Sequence, residues 1–250
     1  MRLMLISCEV LFREMCDVVA RSPHQIDVQF LPKGLHDLGG KPMADEIQRI
    51  IDAVPAGSCD AILLGYGLCG NGLQGITARH TLLVLPRAHD CIALLMGSRE
   101  RYLEYFNEHP GTYYRSTGWL ERGKGLKQLT HNTVGMDVSL QDMVAKYGDD
   151  NGRYLYEELT RYRNTYQRLT FIATGLEPDN RFEEEARWEA AEAGWKFEKL
   201  AGDLVLLRRL VNGDWKGGDY LLVQPGERIT ATYDGSIVRV EDIGKPAGAV

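Results

Sequence analysis

Apolar and polar positions alternate in blocks along the first hundred residues. The run LMLISC (3–8) is short and apolar and predicts a strand that ends on a thiol. VLFREMCDVVARS follows with helical spacing, so that Leu11, Met15, Val18 and Val19 share one face. IDVQFLP (26–32) alternates and predicts a second strand, with KGLHDLGG as its loop. PMADEIQRIIDAV (42–54) has an amphipathic pattern, with Pro42 in the first turn, where a missing N–H does no harm. CDAILLGYG predicts a third strand and TLLVLPRAHD (81–90) a fourth. CIALLMGSRERYLEYFNEH starts apolar and becomes helical, with Tyr102, Leu103 and Phe106 at helix spacing.

This β-α-β-α-β-β order predicts an α/β fold: a Rossmann-like, mostly parallel sheet with helices on both faces. Residues 1–110 are its N-terminal half. Residues 111–165 differ: GTYYRSTGWLERG is aromatic and glycine-rich, and YLYEELTRYRNTYQ is helical and polar, so this stretch reads as an insert or lid. Residues 166–250 read as a C-terminal α/β half. There RLTFIATGL (168–176) is a strand, and PDNRFEEEARWEAAEAGWKFEKL is a helix with Asp179 or Asn180 as cap. GDLVLLRRLVNGDW and DYLLVQPGER read as further strands. RLMLISC and RLTFIATG each open a strand–helix–strand run, which makes the halves candidates for an internal duplication. The end of the chain, EDIGKPAGAV, is expected to fray.

Composition narrows the function. An apolar content of 44% over 250 residues allows a sizeable core. The formal net charge of −6 argues against a general nucleic-acid or membrane-surface binder. No apolar run reaches the roughly eighteen residues of a membrane span. MRLMLISCEVLFREMC has too short an apolar core for a signal peptide, and the expected address is the cytoplasm. In that compartment the five cysteines are thiols or metal ligands rather than a disulfide framework. All five lie within the first 91 residues. Oligomeric state stays open: the halves can pair with each other or with a second copy.

In open parallel sheets, ligands sit outside the carboxyl ends of the strands. That rule gathers Cys8, His36, Cys69 and the His89–Cys91 pair on one rim. Cys16 and Cys59 lie off it and read as ordinary thiols. Zinc takes three or four soft or borderline donors at short range, and Cys8, Cys69 and Cys91, with His89 as fourth ligand or base, fit that need. Asp90 either orients His89 or caps the following helix. His36 is a further candidate for acid–base work. The glycines of GYGLCGNG either close backbone amides on an anion or let a bulky ligand approach, through Gly67 and Gly70, with Asn71 as a hydrogen-bonding partner. That loop matches neither a phosphate-binding nor a dinucleotide fingerprint cleanly. Arg87 can clamp a carboxylate or phosphate. Tyr113, Tyr114 and Trp119 either roof a flat or cationic small-molecule substrate or simply pack the insert.

With Cys8, GYGLCGNG, PRAHDC, GTYYRSTGW and GDW…DYLLVQPGE in this order, the chain resembles a bacterial and archaeal family of unknown function. Members of that family are often encoded beside corrinoid-dependent methyltransferases, and the resemblance therefore points to a corrinoid protein as partner. His89-x-Cys91 also resembles the zinc-ligand pair of cobalamin-dependent thiol methyltransferases of the uroporphyrinogen-decarboxylase type. The order differs, since Cys8 and Cys69 precede the pair here, and the chain is too short for the eight-stranded barrel of those enzymes. The likeness is one of donors and not of fold. Three readings follow: a zinc enzyme of methyl or one-carbon transfer, a protein that holds a metal, corrinoid or iron–sulfur group without turnover, and a metal-free cysteine nucleophile.

Overall fold

The structure is a computed structural model that describes residues 1–122, 139–160, 165–232 and 234–244. The insert assigned to 111–165 and the frayed end of the chain fall partly outside the described residues. The chain divides into two compact units, one of Met1–Tyr105, Thr174–Leu176 and Ala201–Val250, the other of Phe106–Ala173 and Glu177–Leu200.

The first unit opens with β1 (Arg2–Cys8), a 3₁₀ turn (Glu9–Leu11), α1 (Phe12–Ala20) and β2 (Gln25–Leu31). A second 3₁₀ turn (Lys33–Leu38) leads to α2 (Gly40–Ala53), followed by β3 (Ala61–Gly65) and β4 (Leu82–Pro86). Then come α3 (Cys91–Met96) and α4 (Arg99–Glu108). Pairing is parallel from β2 through β1 and β3 to β4. The sequence pattern follows position in the sheet. β3 is central, and all five of its residues are buried. A strand covered on both faces reads as a continuous apolar run. β2 is an edge strand and alternates. Ile6, Ile62, Leu64, Leu83 and Leu85 cluster with Met43, Ile47 and Ile51 of α2 on one face. Leu5, Leu63 and Val84, offset by one, are buried on the other face.

The fourth strand is shorter than its apolar pattern predicts. It ends at Pro86, which leaves Arg87–Asp90 as a loop. β3 and β4 are parallel, yet the connection between them, residues 66–81, contains no helix.

The second unit holds β5 (Thr112–Ser116), α5 (Thr117–Arg122), α6 (Leu140–Tyr147), α7 (Asp149–Thr160), β6 (Arg168–Ala173), α8 (Arg181–Glu192) and β7 (Lys196–Ala201), whose strands order β5-β6-β7. Two elements depart from the sequence pattern. GTYYRS, read as part of an aromatic insert, is a strand parallel to β6, because tyrosine and threonine suit a pleated, half-buried surface. KFEKLA, read as the end of a helix, is β7, because Gly194 at φ 69° takes the left-handed conformation that stops α8. The Asp179 carboxylate accepts from the Arg181 amide at the start of α8. Around Phe171, Tyr113 and Phe182 pack a separate small core.

The chain re-enters the first unit with α9 (Val205–Val211), β8 (Tyr220–Val223), β9 (Glu227–Ala231) and β10 (Val238–Asp242). VLLRRLV is a helix and not the strand its short apolar run predicts. Leu206, Leu207, Leu210 and Val211 are buried at i, i+1, i+4 and i+5, a helical face, and the Asp203 carboxylate takes the Val205 amide ahead of the first turn. β8 then adds antiparallel to β4, completing the order β2-β1-β3-β4-β8.

Candidate functional site

The sheet order fixes where a crevice opens. From β1 the chain steps to β2 on one side, then crosses to β3 on the other. The carboxyl ends of β1 and β3 therefore flank the topological switch point, where open α/β sheets bind ligands. β1 ends on Cys8, and β3 runs into Tyr66, Gly67, Leu68 and Cys69.

Cys8 is half-buried and precedes the 3₁₀ turn. Burial pushes its thiol up to about 11, with a smaller push from the Glu9 charge. The Val10 amide, which hydrogen-bonds the sulfur, and the Lys33 charge oppose it. Lys33 and Glu9 are also joined through the backbone, the Lys33 amide donating to Glu9 Oε1 at 2.9 Å.

The loop after β3 is fastened to the loop after β4. The Leu68 amide donates to the Ala88 carbonyl and the Cys69 amide to the His89 carbonyl, both at 2.8 Å. Such close approach needs Gly67, where a Cβ would stand 2.6 Å from Asp90 Cα and 2.7 Å from its nitrogen. Next in the loop, Cys69, Gly70 and Asn71 run left-handed at φ 47°, 63° and 69°. Two of these three carry a Cβ, and such strain persists only where surrounding contacts hold it. Burial pushes the Cys69 thiol up to about 12, and the charges of Cys8 and Asp90 add to the effect. The Gly67 and Cys91 amides point at the sulfur and act the other way. The charge of Cys8 thus acts on Cys69, and Cys91 reaches Cys69 through its amide.

Tyr66 follows β3 directly and was not among the residues the sequence singled out. It is 3% exposed, and its hydroxyl is buried without a hydrogen-bond partner. Its phenol is held well above the usual range, first by burial and then by Cys8, Cys69 and Glu9. The signal was a tyrosine between two glycines directly after a buried strand.

The other candidates lie elsewhere. The His89 ring is exposed and tilted against Tyr102, with ring centroids 6.3 Å apart. Asp90 is the cap of α3: its Oδ1 accepts from the Ile92 and Ala93 amides at 2.9 and 3.1 Å, and its Oδ2 accepts from the Tyr102 hydroxyl at 3.1 Å. Asp90→Ala is expected to lower stability by about 1 kcal/mol in urea unfolding. An unchanged midpoint would remove the cap from that role. His36 is exposed in the second 3₁₀ turn. Asn71 is exposed and lines an open groove with Gly40, Lys41 and Gln74. Arg87 donates through Nη1 to the carbonyls of Ser236 and Val238 and ties down β10. Tyr113 belongs to the second unit, where it packs on Tyr166 and Trp195 at 5.2 and 5.5 Å and lies under the Arg115 guanidinium. Tyr114 is half-buried on the same strand. Among the described residues, no group of three or more His, Cys, Asp or Glu side chains is arranged to hold a metal ion. The set Cys8, Cys69, Cys91 and His89 is therefore not drawn into one shell.

A family model described as a protein of unknown function (DUF1638) matches residues 30–211. The chain belongs to the DUF1638 family. The matched span holds Tyr66, Cys69, His89 and Cys91, while Cys8 precedes it. No curated protein matches this DUF1638 chain, and no solved structure does. No helix among its described residues is long and apolar enough to cross a membrane.

Proposed function

We propose that this DUF1638 protein is an enzyme whose thiols Cys8 and Cys69 bind a soft metal ion, zinc first, and activate a small substrate for methyl or other one-carbon transfer. One observation carries the reading: two half-buried thiols, Cys8 at the end of β1 and Cys69 just after β3, flank the switch point between these paired strands, and the charge of one acts on the other. A soft cation suits such donors, because it deprotonates coordinating thiols outright and favours thiolate over oxygen ligands. Two protein thiolates are too few for zinc. Neither Cys91 nor His89 is drawn into one shell with these thiols, so metal uptake in this reading would have to draw one of them in from the adjoining loop as a third donor, with a substrate sulfur as a further one. A soft cation held by these residues would lower the pKa of a substrate thiol, whose proton would pass to solvent; that sulfur would then form the bond to carbon as the carbon–donor bond breaks with its electron pair leaving on the donor. A methylated corrinoid protein is the donor class in keeping with the sequence resemblance.

A metal-free nucleophile is less well supported. Both thiols hold their protons well above neutral pH, and the thiolate is the reactive form. Elemental mass spectrometry of anaerobically purified protein is the test. About one zinc per chain is expected, lost in both Cys8→Ala and Cys69→Ala. Iron or cobalt in its place, with colour and no turnover, would turn the site into a holding module. Metal-free protein with all thiols reduced would overturn the proposal.

A further inference from the structure

We propose that the protein forms a dimer through β2, whose outer edge pairs antiparallel with β2 of a second copy across a two-fold axis at Val28. The five-stranded sheets of the two chains then join into one.

β2 ends the sheet order, and among the described residues no strand pairs with its outer side. The direction of its backbone groups is set at its start. The Gln25 amide donates to the Met1 carbonyl at 3.1 Å, while Arg2 turns its amide and carbonyl to Asp60 on the β3 side. Backbone groups alternate along a strand, so Asp27, Gln29 and Leu31 face β1 as Gln25 does. Ile26, Val28 and Phe30 turn their N–H and C=O groups outward. Natural proteins blunt such an edge with a lysine, a proline or a bulge. Gln25–Leu31 has none of these: its register against β1 is unbroken, and its one charge, Asp27, is paired with Arg2 at 3.5 Å. Val28, at the middle of the outward set, is 39% exposed.

The pattern is self-complementary about Val28. With the axis there, Val28 faces Val28 of the second copy, Ile26 faces its Phe30, and Phe30 faces its Ile26. Each of these pairs exchanges two backbone hydrogen bonds. The three apolar side chains share the α1 face of the sheet, where Phe30 meets Phe12 with ring centroids 4.8 Å apart, and they continue as one row across the axis. On the other face each Asp27 carboxylate lies opposite a Gln29 amide, a donor for it. Other registers fit less well. Centring on Asp27 opposes two carboxylates. Centring on Gln29 or Phe30 sets Ile26 or Val28 against Pro32, which has no N–H to give. Centring on Ile26 carries Phe30 past the strand to Ser22.

The test is sedimentation equilibrium of the full chain, reduced and metal-free, in which the wild type is expected to run at twice the chain mass. Val28→Lys sets two cations against each other at the axis. It should weaken the dimer about a hundredfold and leave the circular dichroism spectrum unchanged. Crosslinking gives a second reading that does not depend on that variant. In a Cys16→Ser background, Val28→Cys treated with diamide should yield a disulfide-linked dimer, since facing Cα atoms of a hydrogen-bonded pair stand about 5.5 Å apart, within disulfide reach. Ile26→Cys, which faces Phe30 instead, should not crosslink. A wild type that stays monomeric at about 100 μM would overturn the proposal, whether the edge is then bare or covered by another segment or protein. A dimer that Val28→Cys fails to link, that Ile26→Cys links equally well, or that Val28→Lys leaves intact would overturn it too, because the copies would then meet elsewhere or in another register.

Discussion

Gly67→Ala should unfold the rim, with a loss of about 2–4 kcal/mol in denaturant unfolding. The added methyl would meet Asp90 Cα, nitrogen and carbonyl carbon at 2.6, 2.7 and 2.8 Å. All three atoms are backbone, and they open α3, so no side chain can swing aside. The loops must separate instead. That breaks the bonds from the Leu68 and Cys69 amides to Ala88 and His89, and it displaces the Asp90 carboxylate from the Ile92 and Ala93 amides. Gly70→Ala is the informative comparison. Gly70 has nothing within 4 Å of its missing Cβ, but it sits at φ 63°. It should lose only the left-handed penalty, about 1 kcal/mol. Gly67 is not among the left-handed glycines, so its requirement is close approach alone. A Gly67→Ala protein no less stable than Gly70→Ala would refute the contact between the loops. The same variant should lose metal, since Cys69 is placed by this contact.

The first unit was legible where local pattern and position in the sheet agree. β1 and β3 are central, and their continuous apolar runs announce it. Edge strand β2 alternates as an edge strand does. The pattern failed where short apolar runs fit two structures. VLLRRLV has seven residues, too few for periodicity to choose between strand and helix. The choice is made by Asp203 at its start and by burial of one helical face. The start of β7 was hidden because Gly194 was read as a residue within a helix.

The site was legible as far as strand ends reach. Cys8 ends β1 and Cys69 follows β3, and topology alone sets both at the switch point. The side-chain directions beyond it were not legible. Arg87 turns to carbonyls about 150 positions further along the chain. Tyr113 is committed to Tyr166 and Trp195. Such non-local partners leave no mark on neighbouring residues. Asp90 offered two roles in the sequence, cap and orienter of His89, and its carboxylate caps α3. Tyr66 passed unnoticed because its neighbours are glycines, and a glycine loop draws the eye to backbone rather than to the one large side chain within it.

Labelling of the metal-free protein with iodoacetamide should show Cys69 nearly inert at neutral pH. A thiol pushed from its usual 9.0 to about 12 carries roughly a thousandfold less thiolate at pH 7, and one pushed to about 11 roughly a hundredfold less. Exposed Cys16 should therefore label first. Reaction at Cys8 and Cys69 should rise about tenfold per pH unit and level off near 11 and 12, respectively. Stability follows with the opposite sense. Folding raises both pKa values, so the folded state holds these protons more tightly than the unfolded chain. That contribution is fully present below pH 9 and is lost as pH rises through 11 and 12. Cys69→Ala should flatten the alkaline part of the unfolding curve between those limits. Zinc inverts the result: metal-bound thiolates would have no proton left to lose, so the loaded protein should resist alkylation at every pH and show no thiol-linked alkaline loss. Mass spectrometry of labelled peptides reads both states. Cys69 labelling as fast as Cys16 at pH 7 in the metal-free protein would mean that its thiol is not enclosed as described. Identical labelling with and without zinc would remove Cys8 and Cys69 as ligands.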